Sequence, residues 1–238
     1  EDVLAEAARL LGLPLPPELV DYATSTDGQE ARAEFAPLTI RPTDLPARFL
    51  GARGAHLAPY DFLTPATVPE LLRREHVHFL TCDPSIRYMQ PSYAKEVAHV
   101  VSGLDAFLPS EQEVKSYFRE DWQVHWQAAE AFAALGCPVV AIKLGARGQF
   151  LYDATARRRW QIPAYPVKVR NVTGAGDAYC GGFLTGLIET ADPLEAALRG
   201  TISASIVIES PNALATLDFM PGLLPARLDA LRENVRKV

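Results

Sequence analysis

A short glycine-rich segment in the C-terminal half combines a carboxylate with a turn that suits anion binding. It reads "NVTGAGD" over residues 171–177 and runs directly into the helix-like "AYCGGFLTGLIET". Residues 173–176 are small enough for the backbone to pass close to a ligand, and N–H groups at a helix start attract anions. Asp177 could accept a proton from an attacking hydroxyl while those N–H groups hold a transferring phosphate. Asp177 is also a favourable first-turn acid, so this segment alone leaves a catalytic and a structural interpretation open.

Two consecutive glycines inside the following helix need a reason of their own. Gly181 and Gly182 each cost about 1 kcal/mol relative to alanine in a helix interior. Close packing against a neighbouring element or a nucleotide would justify them.

Three more polar residues lie at the ends of strand-like segments or at the start of the next helix. Asp83 follows "VHFLTC", Lys143 ends "VVAIK", and Glu113 closes "LPSEQE". In parallel sheets, ligands bind at the carboxyl ends of the strands, which makes all three candidates for a site. Each also has a structural interpretation. Glu113 fits a capping box with Ser110 as the N-cap. Asp83 fits a surface pair with Arg87, which we favour over catalysis, and Lys143 fits a solvated strand end.

The segments that must position these residues alternate regularly from residue 51 onward. Strands are predicted at 54–60, 77–83, 104–110 and 138–145, and a hairpin at 148–154 and 157–164, with 167–169 leading into the glycine-rich turn. Helices are predicted at 2–11, 64–75 (with Thr64 as N-cap), 92–103, 111–118, 122–135, 177–189, 193–210 and 222–236. Nearly apolar strands separated by helices indicate a parallel sheet covered on both faces, and hence the α/β class.

Composition narrows the functional classes. The chain has 238 residues, 48% of them hydrophobic and 22% charged, enough for one large α/β domain or two small ones. A net charge of −6, with "RRR" at 157–159 as the densest basic run, argues against nucleic-acid binding. The sequence contains no apolar run of membrane-spanning length. Cys82, Cys137 and Cys180 lie far apart, which argues against zinc or a disulfide framework and favours a reducing cytoplasm.

The order of these motifs resembles the ribokinase-like, PfkB-type family of carbohydrate and nucleoside kinases. "NVTGAGD" (171–177) resembles the family signature D-T-x-G-A-G-D, and "CDPSIR" (82–87) resembles its D-P-N-x-R strand end. "LPSEQE" (108–113) is similar to N-x-x-E, and "VVAIKLGARGQFLYD" (139–153) to the strand and G-x-x-G loop of the nucleotide site. The resemblance covers roughly residues 50–238. It implies a three-layer α/β/α sandwich with a mostly parallel central sheet.

The resemblance also implies an activity, namely transfer of the ATP γ-phosphate to a primary hydroxyl of a sugar or sugar-like molecule. Asp177 would then be the general base, and Glu113 would organise Mg²⁺. The anion hole for the γ-phosphate would consist of Gly174, Ala175 and Gly176. The nucleotide side would include Lys143, Gly145, Gly148 and Thr173, with parts of 204–215 beside the adenine. Expected partners are ATP and a small acceptor, in a cytoplasmic enzyme for which a homodimer is one candidate assembly.

Several departures from the family pattern limit these expectations. Asn171 replaces an Asp that often contributes to a monovalent-cation site, so activation by K⁺ stays open. Ser110 replaces the Asn of N-x-x-E, and Asn212 stands where many members have Gly. The family's N-terminal acceptor-binding strand and its G-G-x-x-x-N segment are not recognisable. We therefore expect residues 1–238 to form a single kinase domain whose acceptor-binding portion precedes residue 1, with 21–45 as a candidate remnant of a small β lid.

Two alternatives remain open. One is a nucleoside or pyridoxal-like kinase of the same fold. The other is a non-catalytic homologue that binds nucleotide or sugar without turnover, an idea motivated by Asn171 and Ser110. The sequence has no Walker A motif, no protein-kinase motif set and no early G-x-G-x-x-G, which argues against the commonest competing designs.

Overall fold

The computed structural model describes residues 9, 12, 31–36, 39–119, 125–211, 216, 220 and 222–238. The helix predicted at 2–11 therefore lies outside the described residues, apart from Arg9. Within 31–45, the described residues form bends and a short 3₁₀ turn at Pro42–Asp44 rather than a strand. The remaining positions of the candidate lid segment lie outside the described residues, and its origin stays a prediction.

One mixed sheet organises the described chain. Its strands are β1 (Gly54–Leu57), β2 (Phe79–Cys82), β3 (Ala106–Phe107), β4 (Val139–Lys143), β5 (Gln149–Asp153), β6 (Arg158–Ile162) and β7 (Arg236–Lys237). They lie side by side in chain order. β1 to β4 pair in parallel, whereas β5, β6 and β7 extend the sheet as antiparallel strands. The carboxyl ends of β1 to β4 consequently meet along one edge, where the predicted site residues follow.

Helices cover both faces of this sheet. The described helices are α1 (Leu63–Arg74), α2 (Ala94–Ser102), α3 (Glu111–Phe118), α4 (His125–Ala134), α5 (Ala175–Thr190), α6 (Pro193–Glu209) and α7 (Leu223–Arg232). One core packs α1 to α4 against one face, around residues such as Leu80, Phe107 and Phe132. A second core packs α5 to α7 against the other face, around Ala141, Phe183 and Ile202. The predicted three-layer α/β/α sandwich is confirmed. None of the described helices is long and apolar enough to cross a membrane.

Two local predictions were wrong, at the N-cap of the first described helix and at the end of the last one. Thr64 is not the N-cap of α1, because the helix begins at Leu63 and the buried Asp61 accepts from both the backbone N–H and the hydroxyl of Thr64. Residues 167–169 pair with no described strand. The last helix ends at Arg232 rather than near 236, because the chain turns back to pair as β7 with β6.

Candidate active site

The glycine-rich segment forms a tight turn at the start of α5, as predicted. Gly174 adopts φ 81° and ψ 1°, a left-handed conformation that L-residues with a side chain rarely adopt. The turn is closed from within, because Ala175 N–H donates to Val172 O at 3.2 Å and Thr173 N–H to Asn171 Oδ1 at 2.9 Å. The helix therefore begins at Ala175, two residues earlier than predicted. Asp177 is exposed in its first turn.

This turn leaves backbone donors unused. Among the described residues, no acceptor meets the N–H groups of Gly174, Gly176 and Asp177. The first N–H groups of a helix have no partner within the helix and carry the positive end of its dipole. The donors therefore suit an anion such as a phosphate. Ala175 differs from the expectation, because its own N–H is spent on closing the turn.

The G-x-x-G segment forms a second loop directly after β4. Gly145–Arg147 is one 3₁₀ turn, and Leu144 N–H donates to Gly148 O at 2.8 Å. Gly148 has φ 87°, and a Cβ there would lie 2.0 Å from Ile162 O, so the loop requires glycine at this position. Gly145 also has positive φ but has nothing within 4 Å of its Cβ position, so that side of the loop is open.

Glu113 takes part in the capping box that its sequence context predicts. Ser110 Oγ accepts from Glu113 N–H at 3.4 Å, and Glu113 Oε2 accepts from Ser110 N–H at 2.6 Å. Ser110 also bridges to Lys143 of β4, which brings the start of α3 beside the end of that strand. The described residues make no hydrogen bond to Glu113 Oε1. Burial, and then the charge of Asp83, raise the pKa of Glu113.

Asp83 does not form the predicted surface pair with Arg87. It is 5% exposed at the end of β2, and its Oδ2 accepts from Lys143 Nζ at the end of β4. Lys143 is likewise not a solvated strand end. Burial alone would lower the pKa of Lys143, but the surrounding acidic groups, with Asp83 in direct contact, raise it. Lys143 and Asp83 therefore form a buried ion pair.

The end of α6 completes this edge of the molecule. Ile208 O accepts from the N–H groups of Arg170 and Asn171, and Val207 lies 3.8 Å from the Cβ position of Gly174. The predicted adenine-side segment 204–215 thus begins beside the glycine-rich turn. Its residues 212–215, including Asn212, lie outside the described residues.

The structure brings the predicted site residues to one edge of the sheet, at the starts of α3 and α5 and the loop after β4. Sequence reasoning missed the contact between Asp83 and Lys143 and the thiol of Cys180, which lies 3.6 Å from Asp83 Oδ2. The available signal was two charges, each at the carboxyl end of an otherwise apolar strand.

Solved structures share this fold. A ribokinase from Thermotoga maritima matches with a TM-score of 0.59 at 24% identity, covering 82% of this chain and 61% of that one. Aminoimidazole riboside kinase from Salmonella enterica, in complex with aminoimidazole riboside and an ATP analogue, matches with a TM-score of 0.62 at 22% identity, covering 81% and 68%. The fold is therefore ribokinase-like.

The family follows from the sequence itself. The family model described as pfkB family carbohydrate kinase matches residues 69–219, more than half of the chain. The chain belongs to the pfkB family of carbohydrate kinases.

Relatives within the family carry different substrate names. An uncharacterized sugar kinase from Archaeoglobus fulgidus is 30% identical over 139 residues, 58% of this chain and 53% of that protein. A cytidine kinase from Thermococcus kodakarensis is 30% identical over 159 residues, 65% of this chain and 54% of that protein. The chain thus spans about half the length of these relatives.

Proposed function

We propose that the protein transfers the γ-phosphate of ATP to a primary hydroxyl of a sugar or sugar-like molecule. One observation carries this proposal. The exposed carboxylate of Asp177 lies in the first turn of α5, beside backbone donors that no described residue uses. A base next to an anion-binding turn is what in-line phosphoryl transfer requires, because this chemistry depends on positioning and charge stabilisation.

In this proposal each residue of the turn has a defined role. Asp177 accepts the proton of the acceptor hydroxyl. As this happens, the hydroxyl oxygen bonds to the γ-phosphorus of ATP, and the bond between the γ-phosphorus and the oxygen that bridges it to the β-phosphate breaks. The N–H groups of Gly174, Gly176 and Asp177 stabilise the charge on the transferring group. Ala175 shapes the turn, because its N–H donates to Val172 O.

We place the nucleotide at the loop after β4 and at the exposed side of the glycine-rich turn. The backbone at Gly145 is open, and Gly148 keeps the loop close to β6. Thr173 is exposed beside the same turn. We assign these three residues to nucleotide binding, as the sequence predicts.

Glu113 is the residue we assign to Mg²⁺. It is a hard oxygen donor with Oε2 held by the capping box, and no described residue donates a hydrogen bond to Oε1. The described residues contain no group of three or more metal-ligating side chains. A nucleotide-bound Mg²⁺ fits this donor set, because that ion keeps several waters and takes one or two protein carboxylates. When bound, it supplies charge neutralisation at the phosphates. Activation by K⁺ stays a prediction without a test.

A nucleoside acceptor is the second candidate. It is favoured by the named cytidine kinase among the relatives and by the riboside kinase among the structural matches.

The three described cysteines are buried and unpaired, which supports the cytoplasmic location. The homodimer remains a prediction that size-exclusion chromatography with light scattering would test.

Acceptor profiling tests the proposal. ATP consumption by the full-length protein is measured against a panel of sugars, sugar acids and nucleosides, with Asp177→Asn in parallel. We expect one class of acceptor to stimulate turnover and Asp177→Asn to lower kcat by about 10² to 10⁴-fold, the usual contribution of a general base.

A matched control uses the next helix. Asp192 accepts from Leu194 N–H at the start of α6, at the far end of α5. Asp192→Asn removes the same charge but keeps a good N-cap, so kcat should not change. Equal turnover by wild type and Asp177→Asn would refute the role of Asp177. Nucleotide binding without turnover of any acceptor would instead support the non-catalytic alternative.

A further inference from the structure

Beneath the start of α5, an ion pair joins the ends of β2 and β4. Lys143 Nζ donates to Asp83 Oδ2, and the two side chains are only 15% and 7% exposed. Removing one partner of such a pair leaves an uncompensated buried charge, whereas removing both is much better tolerated. A pair this well buried is unlike the surface pairs of the same chain, such as Arg73 with Asp105 at 38% and 31% exposure.

The carboxylate of Asp83 also contacts α5. Cys180 donates its thiol to Asp83 Oδ2 at 3.6 Å, three residues after Asp177. A Cβ on Gly176 would lie 3.9 Å from the same oxygen. Asp83 therefore links the first two turns of α5 to the end of β4 through Lys143.

The first turn of α5 has few other side chains to fix it. Gly174 and Gly176 offer none, and Asp177 is exposed. Burial raises the pKa of Asp83 and the charge of Asp177 adds to that shift, whereas Lys143 opposes both. The charge of Lys143 thus offsets part of the cost of burying Asp83 beside Asp177.

We propose that Asp83 and Lys143 act as one positioning unit for the start of α5, holding Asp177 and the anion-binding N–H groups in place. Lys143 then has no direct contact with the nucleotide, in contrast to the role that the sequence suggested for it. The kinetic consequences of this inference rest on the proposed kinase function, but its structural consequence does not.

Four variants and a control test the kinetic part. They are Asp83→Asn, Lys143→Met, Lys143→Arg, the double variant Asp83→Asn/Lys143→Met, and Arg73→Met as an ion-pair control on the opposite edge of the sheet. We expect each charge-removing variant at the pair to lower kcat by about 10 to 100-fold, the effect of a small misplacement of reacting groups. The KM and Kd for ATP should stay within about twofold, Lys143→Arg should recover part of kcat, and Arg73→Met should behave as wild type.

Non-additivity is the second kinetic criterion. Replacing two residues that act as one unit lowers kcat little more than replacing either one alone. The double variant should therefore be no slower than the slower single variant. It also removes both buried charges, so it remains informative if a single variant fails to fold. A double variant with wild-type kcat would refute the proposal that the two residues act as one unit. So would a double variant whose fold-loss in kcat equals the product of the two single fold-losses.

Hydrogen exchange tests the structural part without any turnover. Amide exchange of peptides spanning 174–180 should speed up in the double variant, while peptides from α2 and α4 keep the wild-type rate. Unchanged exchange at 174–180 would refute the positioning role even if the enzyme were inactive for another reason. A tenfold rise in the Kd for ATP in Lys143→Met, absent from Asp83→Asn, would instead assign Lys143 to the nucleotide.

Discussion

The paired glycines of α5 offer a direct test of how this helix packs. Gly182 faces α6, and a Cβ added there would lie 2.3 Å from Ser203 Oγ and 2.8 Å from Arg199 O. The serine hydroxyl can rotate away, but the carbonyl belongs to the backbone of α6, so the two helices must separate. Gly181, its neighbour in the same helix, has nothing within 4 Å of its Cβ position. The two positions therefore share a helix and a residue type but differ in their surroundings.

Alanine at each position should change the free energy of unfolding in opposite directions. Gly181→Ala should stabilise the protein by up to about 1 kcal/mol, the helix-propensity difference between alanine and glycine. Gly182→Ala gains the same propensity but pays for overpacking, typically about 1–3 kcal/mol. With a backbone atom as the obstacle, we expect a net loss of about 1–2 kcal/mol. The two variants should then differ by about 2–3 kcal/mol.

Urea unfolding followed by tryptophan fluorescence measures this free-energy difference, and thermal unfolding followed by circular dichroism gives the corresponding Tm values. For a chain of this size, about 1 kcal/mol corresponds to a Tm change of roughly 2–4 °C, so the two melting temperatures should lie about 4–12 °C apart. Equal Tm values, or a Gly182→Ala variant as stable as wild type, would show that α5 and α6 are not packed as closely as their glycines indicate.

Two further predictions concern titrating groups. Burial, and then the charge of Lys143, lower the pKa of His56 to about 4 from its usual 6.5. The contribution of this neutral ring to folding stability is therefore fully present above about pH 6.5 and is lost as the pH falls towards 4. Between pH 7 and pH 5 the unfolded chain binds a proton at His56 that the folded chain does not. In urea unfolding over this range, the free energy of unfolding of wild type should fall by about 2 kcal/mol more than that of His56→Gln. Equal losses would contradict the burial of this ring. Burial also raises the pKa of the thiols of Cys82, Cys137 and Cys180, so a disulfide reagent at pH 8 should modify them only slowly until the protein is unfolded, and fast labelling of the native protein would count against this packing.

The layers of the fold could be predicted because their signals are periodic and repeated. Apolar strands at 139–143 and 79–82 are buried on both faces, and helices between them carry an apolar side, which is the pattern of a covered parallel sheet. The capping box at Ser110 was predictable for a related reason, because all of its partners lie within four residues.

Contacts between distant parts of the chain were less accessible. The sequence predicted Arg87, four residues away, as the partner of Asp83. The structure shows that its partner is Lys143, 60 residues further along the chain. Parallel strands bring their ends together only in the folded sheet, so a reading of neighbouring residues cannot find such a partner. The two residues of β7 show the same limit, because their strand conformation comes from pairing with β6 and not from their own pattern.

The two substitutions that motivated a non-catalytic alternative both keep the local geometry of the site. Ser110, in place of the family's usual Asn, caps α3 and holds the backbone of Glu113. Asn171, in place of Asp, accepts from Thr173 N–H, and an aspartate oxygen would accept the same bond. Asn171 therefore removes a charge but leaves the turn before Asp177 intact. Neither substitution disturbs the carboxylate of Asp177 or the N–H groups at the start of α5 that no described residue uses, so neither gives a structural reason for loss of turnover.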